Sequence, residues 1–223
     1  MKILDIPQSG RRGLYVSQGG RYGQISRAFV VPANPRTEAQ MGIRRALGNV
    51  TARWRTLTEE QRNAWRFAAQ AKHTVPKLGQ CGRLTGAQLF TKINCSLATL
   101  GLEQVTTPPS FPQFTDNPVG SLVITNTGGV ISLKLGCPST PLANTTVRAA
   151  APCSQGLAYC DNYRVLGVLP TAAQGACDIT SLYTARFGTP AVGTKVFVRV
   201  NQNVNGWEDV PVETSAIVPA ASA

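Results

Sequence analysis

The apolar positions change period once along this chain. From Asn34 to Leu102 they recur every three or four residues, whereas from Val123 onward they fall in short β-rich runs separated by Gly, Pro and Asn. In the first stretch Ile43, Leu47, Val50, Trp54 and Leu57 follow one another at steps of four, three, four and three, which draws one apolar stripe down a helix. Trp65, Ala68 and Ala69 mark a second helix, and Leu89, Ile93, Leu97 and Leu100, widened by Phe90, a third. Ahead of each stands Thr-x-x-Gln: Thr37 with Gln40, Thr58 with Gln61, Thr85 with Gln88. That is the spacing of a capping box, in which the two side chains satisfy amides that the first turn leaves unpaired. Pro35 blocks a helix entering from upstream, and Gly101 is placed to close the third helix. The expectation is a three-helix domain over residues 34–102, with Trp54, Leu57 and Trp65 in its structural core.

Residues 103–119, rich in proline and without periodicity, read as a linker or a strap. Beyond them, residues 123–125, 131–135, 146–150, 163–168, 195–200 and 216–218 read as short strands. No helical pattern is read between them, so the expectation is an antiparallel β-sandwich over residues 120–223 and an α+β fold class overall. Trp207, beside the Asn205-Gly206 turn, is assigned to structural core at the end of that sandwich.

The first 33 residues form a basic arm. Two apolar runs, residues 14–16 and 25–31, flank Gly19-Gly20, which predicts a β-hairpin. Isolated hairpins are marginal, so this one needs the helices or a neighbouring subunit to lie on. The same letters, with Arg11, Arg12, Arg21 and Arg27 interleaved with Tyr15 and Tyr22, also suit contact with phosphates and unpaired bases. An assembly arm and a nucleic-acid arm are both open at this point. Arg44 and Arg45 on the first helix extend the basic character, and with the arm arginines they are the candidate binding residues for nucleic acid or a protein partner.

Charge sharpens the division into halves. Residues 1–100 hold 16 Lys and Arg against 4 Asp and Glu, a net +12, while residues 101–223 hold 6 against 7, a net −1. A basic half suits an acidic partner such as nucleic acid, an anionic surface or an acidic subunit, although a solvated face is the plainer reading. Candidate chemistry is sparse. His73 is the only histidine and has no Cys or His at ligand spacing, so neither a metal site nor a histidine-based nucleophile is expected. No G-x-S-x-G elbow and no phosphate loop occurs, and the carboxylates are scattered. These absences argue against an enzyme, a cofactor or a small-molecule substrate. No apolar run reaches the roughly 20 residues that span a bilayer, and the opening MKILDIPQSG lacks an apolar signal core, so synthesis in a host cytoplasm and no membrane partner are expected. Six cysteines are then expected mostly as buried thiols, with Cys153 and Cys160 the pair placed for a local bridge.

Three resemblances add to this reading. The run VFVRVNQNVNGWEDVPVETSAIVP resembles the last hairpin of a fibronectin type III domain, which implies that fold for the C-terminal half and no function. Trp54, Leu57, Thr58, Arg62, Trp65 and Ala69 resemble, over sixteen residues, the packing positions around the second turn of a high-mobility-group box. The strand and wedge residues with which that family grips the minor groove have no match, so DNA bending is not implied. Over about residues 10–110, the Gly/Arg arm, NPRTEAQ, W-R-x-L-T-x-x-Q-R-x-A-W, L-T-G-x-x-L-F-x-K-x-N and the Pro108-Pro109 linker are similar to uncharacterised proteins encoded by bacteriophages and prophages. That likeness implies a phage setting, with the protein located in a virion, and assigns no residue a role. The expected function is a non-enzymatic structural component of a phage-like virion, capsid-associated, decoration or tail, whose partners are other copies of itself and other virion proteins. The alternative is a nucleic-acid-binding protein working through its basic arm and helical pair.

Overall fold

Threonines open the three long helices of the computed structural model, which describes residues 8–20, 23–74, 81–172 and 175–221. Helices α1 (Glu38–Thr56), α2 (Glu59–Ala69) and α3 (Gly86–Thr99) begin after Thr37, Thr58 and Thr85. The boxes at Thr58 and Thr85 close in both directions. At Thr37 the hydroxyl accepts from the Gln40 amide at 3.4 Å, but Gln40 Oε1 finds no partner in return, so that helix start is capped on one side only. After α3 the chain turns through Gly101, with the Gly101 and Leu102 amides donating back to Ala98 and Leu97.

Trp65, Ala69, Leu89, Phe90, Ile93 and Leu97 are buried between the helices, and the Phe90 ring lies 5.3 Å from Trp54 and 5.2 Å from Trp65, edge-on to the latter. The stripe on α1 does not behave as one unit. Val50 and Leu57 are buried and Trp54 is half-buried, while Ile43 and Leu47 are 72% and 45% exposed. Periodicity identified the apolar face of α1; α2 and α3 cover only its C-terminal half.

The proline-rich strap is held residue by residue. Buried Asn94 donates to the Val105 carbonyl at 3.2 Å and accepts from the Val105 amide at 2.8 Å. The Trp65 indole donates to the Thr106 carbonyl at 2.8 Å, and the Trp207 indole donates to the Pro109 carbonyl at 3.1 Å. Lys72 lies over the Phe111 ring, which in turn stands edge-on to Trp207. Trp207 therefore packs in the helical core with Trp65, Ile93 and Leu97, and does not close the end of the sandwich as its sequence position led us to expect. It reaches there on a small hairpin, β10 (Asn203–Val204) and β11 (Trp207–Glu208), turned by Asn205 and Gly206, both with positive φ. Below that hairpin, Ser96 of α3 donates to Glu208 and accepts from Asn203, and Glu208 pairs with Arg148 at 2.7 Å.

The rest of the C-terminal half is antiparallel. Strands β4 (Ser121–Thr127), β5 (Val130–Gly136) and β8 (Ala176–Asp178) form one sheet in that order. Strands β6 (Thr146–Ala149), β7 (Arg164–Val168), β9 (Lys195–Asn201) and β12 (Val212–Ile217) form the other, ordered β12-β9-β6-β7. In β4 the side chains alternate exposed and buried, which places Leu122 and Ile124 inward. They meet Leu133 and Leu135 of their own sheet and Val147, Ala149, Val196, Val198 and Val200 of the other in one buried cluster. The fold is thus α+β, helices followed by packed antiparallel sheets.

One element departs from expectation. Helix α4 (Thr180–Phe187) lies between β8 and β9, where no helix was read. Ile179, Tyr183 and Phe187 recur every fourth residue and pack on the sandwich core, and the Tyr183 hydroxyl donates to the Ala150 carbonyl at 3.1 Å. Burial pushes the Tyr183 phenol well up. Asp178 accepts from the Thr180 amide at 2.8 Å, and the Thr180 hydroxyl and amide hydrogen bonds hold its carboxyl below the usual aspartate range.

Candidate assembly surface

The arm folds on itself. Strands β1 (Gly10–Arg12), β2 (Tyr15–Gly20) and β3 (Gly23–Ala28) pair antiparallel into a three-stranded sheet, a strand more than the sequence predicted. The turn between β2 and β3, with Arg21 and Tyr22, lies outside the described residues. Arg11 pairs with Val16, and Val16 with Arg27, so the two arginines share one face with Val16 between them. Arg12 pairs with Tyr15 and belongs to the opposite face. The Arg11 guanidinium is partly engaged already: it lies 3.8 Å from the centre of the Phe29 ring and donates to the Gly13 carbonyl at 3.1 Å.

Apolar side chains on this arm face water. Leu14, Tyr15, Val30 and Val31 are each at least 60% exposed, and Ile25 and Phe29 about a third. The chain then passes Asn34, whose side chain accepts from Arg44 Nη1 at 2.9 Å, and enters α1. There the uncovered apolar surface continues in Met41, Ile43 and Leu47, with Ile43 and Leu47 one turn apart on a single face. Full burial of a side chain of this kind is worth about 1.5–3 kcal/mol. Leaving several such side chains in water forgoes that gain several times over, and exposed apolar patches mark interaction surfaces. Arg44 and Arg45 flank this face, exposed like Arg11, Arg12 and Arg27, so the five described candidate binding residues divide between the arm sheet and α1.

The chain matches no family model, no curated protein and no solved structure.

Several other polar groups make structural contacts. His73 is exposed and pairs by backbone with Arg83. The Ser96 hydroxyl is held between Asn203 and Glu208, and Glu208 is neutralised by Arg148, which makes this polar seam a joint between α3 and the β-half. A hollow of about 220 Å³ beside it is lined by Lys92, Cys95, Ser96, Thr99, Arg148 and Glu208. Among the described residues no group of three His, Cys, Asp or Glu is arranged to hold a metal, and no helix is long and apolar enough to cross a membrane. Of the structural-core residues named from sequence, Leu57, Trp65 and Trp207 are buried and Trp54 is half-buried against Phe90. The apolar arm residues are what sequence reasoning passed over as binding groups. Their signal was Phe29-Val30-Val31, three consecutive apolar residues ahead of Pro32, too many for the one inward face that a strand offers.

Proposed function

We propose that the protein is a non-enzymatic structural component of a phage-like virion, a capsid-associated, decoration or tail protein, that assembles with other copies of itself and with other virion proteins through its arm and the first half of α1. The observation that carries this reading is the concentration of exposed apolar side chains between Leu14 and Leu47, where Leu14, Tyr15, Ile25, Phe29, Val30, Val31, Met41, Ile43 and Leu47 all face water, whereas the exposed apolar residues of the later chain are more widely scattered. The outer edges of the arm sheet, β1 and β3, have no strand partner among the described residues, which adds a second mode of contact, since a neighbour's strand can extend the sheet by main-chain hydrogen bonds. The strand order favours a fibronectin type III-like sandwich for the C-terminal half. With the separate β10–β11 hairpin set aside, the first, second and fifth strands of this half share one sheet and the seventh, sixth, third and fourth the other, the three-plus-four partition of that architecture. Such a module serves as a rigid, ligand-free attachment or decoration piece. Electron microscopy of particles from the native source, with the protein located by specific antibody, tests the proposal. Labelling of intact particles at regular positions is expected, and a protein recovered only free of particles overturns it.

A second reading, nucleic-acid binding by the basic half, rests on Arg11 and Arg27 sharing one face of the arm sheet. Its signature is a salt slope of about −0.9 per neutralised phosphate on duplex, or about −0.7 on single strands, with little sequence preference. Absence of binding to DNA or RNA at low salt assigns the positive charge to protein partners.

A further inference from the structure

Cys137 and Cys177 stand apart from the other four cysteines. Strands β5 and β8 pair with Leu135 opposite Cys177 and Gly136 opposite Ala176, and the ladder runs one residue further as the Cys137 amide donates to the Gly175 carbonyl at 2.8 Å. Cys137 and Cys177 are therefore diagonal neighbours on the inward face, and both are buried in the sandwich core. Their sulfurs lie 3.0 Å apart. A sulfur–sulfur bond needs about 2.05 Å, so the two sulfurs stand about 1 Å short of bonding distance. Cys81 is exposed, whereas Cys95, Cys153 and Cys160 are half-buried. Cys153 and Cys160 also neighbour one another, but on a loop outside the core.

We propose that Cys137 and Cys177 form a covalent cross-link site, closing to a disulfide that ties the end of β5 to β8 when the chain folds in the presence of a small disulfide such as oxidised glutathione. The balance is complete. The thiolate of one cysteine displaces one glutathione thiol and leaves a mixed disulfide; the second thiolate attacks the protein sulfur of that bond and releases the second glutathione thiol. Two protons and two electrons leave the protein and are carried by the two glutathione thiols. Burial, reinforced by the Cys177 thiol, pushes the Cys137 thiol up to about 12, and the closed core has no room for a glutathione adduct. Exchange therefore proceeds through the open chain and is coupled to folding: a protein folded reduced stays reduced, and a bridge once formed is sealed. The site is independent of the assembly reading, since it needs no partner.

The test is refolding of the full chain from denaturant, once with a mixture of reduced and oxidised glutathione and once with a dithiol reductant. Peptide mapping without reduction, intact mass after alkylation and Tm are then compared. The oxidised sample is expected to yield the Cys137–Cys177 peptide pair, a mass lower by two hydrogens for that pair, and a Tm higher by roughly 5–10 °C than the reduced sample, because a loop of some forty residues is closed in the unfolded state. In the reduced native protein, iodoacetamide is expected to modify Cys81 and spare both core thiols. Cys137→Ala and Cys177→Ala should each abolish the Tm difference between oxidised and reduced samples; if either variant fails to fold, the peptide map of the wild-type chain still decides. Recovery of both cysteines free after oxidative refolding, their capture by other cysteines, or a bridge that leaves Tm unchanged or lower overturns the proposal.

Discussion

Replacing Gly206 by alanine tests whether the small β10–β11 hairpin is part of the helical core. Gly206 has φ +86, a conformation that costs an L residue about 1–2 kcal/mol. A Cβ there would also lie 2.6 Å from Ile93 Cγ2, 2.8 Å from the Ile93 carbonyl oxygen and 3.2 Å from Leu97 Cγ. Ile93 is fully buried on α3 and its carbonyl cannot withdraw without the helix, so overpacking adds about 1–3 kcal/mol. The sum, about 2–5 kcal/mol, is a large fraction of the 5–15 kcal/mol or so that holds a typical domain. Gly128 supplies the control: at φ +57 in the β4–β5 turn it has nothing within 4 Å of its would-be Cβ, so Gly128→Ala bears the backbone cost alone. Equilibrium urea unfolding followed by tryptophan fluorescence, which reports chiefly on the core holding Trp54, Trp65 and Trp207, and by far-UV circular dichroism should show both probes moving together to lower midpoint for Gly206→Ala. The control should move by about 1–2 kcal/mol. If Gly206→Ala unfolds at the same midpoint as Gly128→Ala, the hairpin does not press on α3 and the shared core is wrong.

Asn94→Ala removes the clamp on Val105 and leaves the Val105 amide without its partner, so a loss of about 1–3 kcal/mol is expected, together with new cleavage in residues 103–119 under limited proteolysis. Trp207→Ala empties a buried indole site and releases the Pro109 carbonyl, with an expected loss of about 3–5 kcal/mol by denaturant midpoint. For Asp178 the sign follows from its lowered folded-state pKa: its charge stabilises the protein above the unfolded-state value near 3.8 and ceases to as pH falls through the folded value. The Tm gap between wild type and Asp178→Asn should be present near neutral pH, be worth under about 1 kcal/mol because the carboxylate is largely solvated, and close in acid. A gap that widens in acid would contradict that cause.

The helices were legible because their signals are local. Thr-x-x-Gln and a three-four apolar step act within a turn or two, and the Asn205-Gly206 turn announces itself in two letters. The destination of Trp207 was not legible, since nothing near residue 207 records that α3, more than a hundred residues earlier, leaves room for an indole. The stripe on α1 shows the complementary limit: periodicity identifies Ile43 and Leu47 as apolar-face residues and says nothing about which element covers them. Strand β8 is three residues long, too short for alternation to register, and α4 was hidden by its brevity although Ile179, Tyr183 and Phe187 carried the helical step. Strand β1, Gly-Arg-Arg, has no apolar residue to betray it. The candidate basic residues were named by charge alone; their arrangement on a twisted sheet and a separate helix depends on register, which charge does not encode.

The surface from the arm to the first half of α1 is the centre of the functional reading, and sedimentation velocity on the full chain and on an Ile43→Asp, Leu47→Asp double variant tests it most directly. Both side chains are exposed, so the variant should keep the wild-type circular dichroism spectrum and stability to within about 0.5 kcal/mol. The wild-type chain is predicted to sediment as an assembly that grows with concentration and the double variant as a monomer. A wild-type chain that remains monomeric at its highest attainable concentration, or a variant that assembles as the wild type does, would contradict the account.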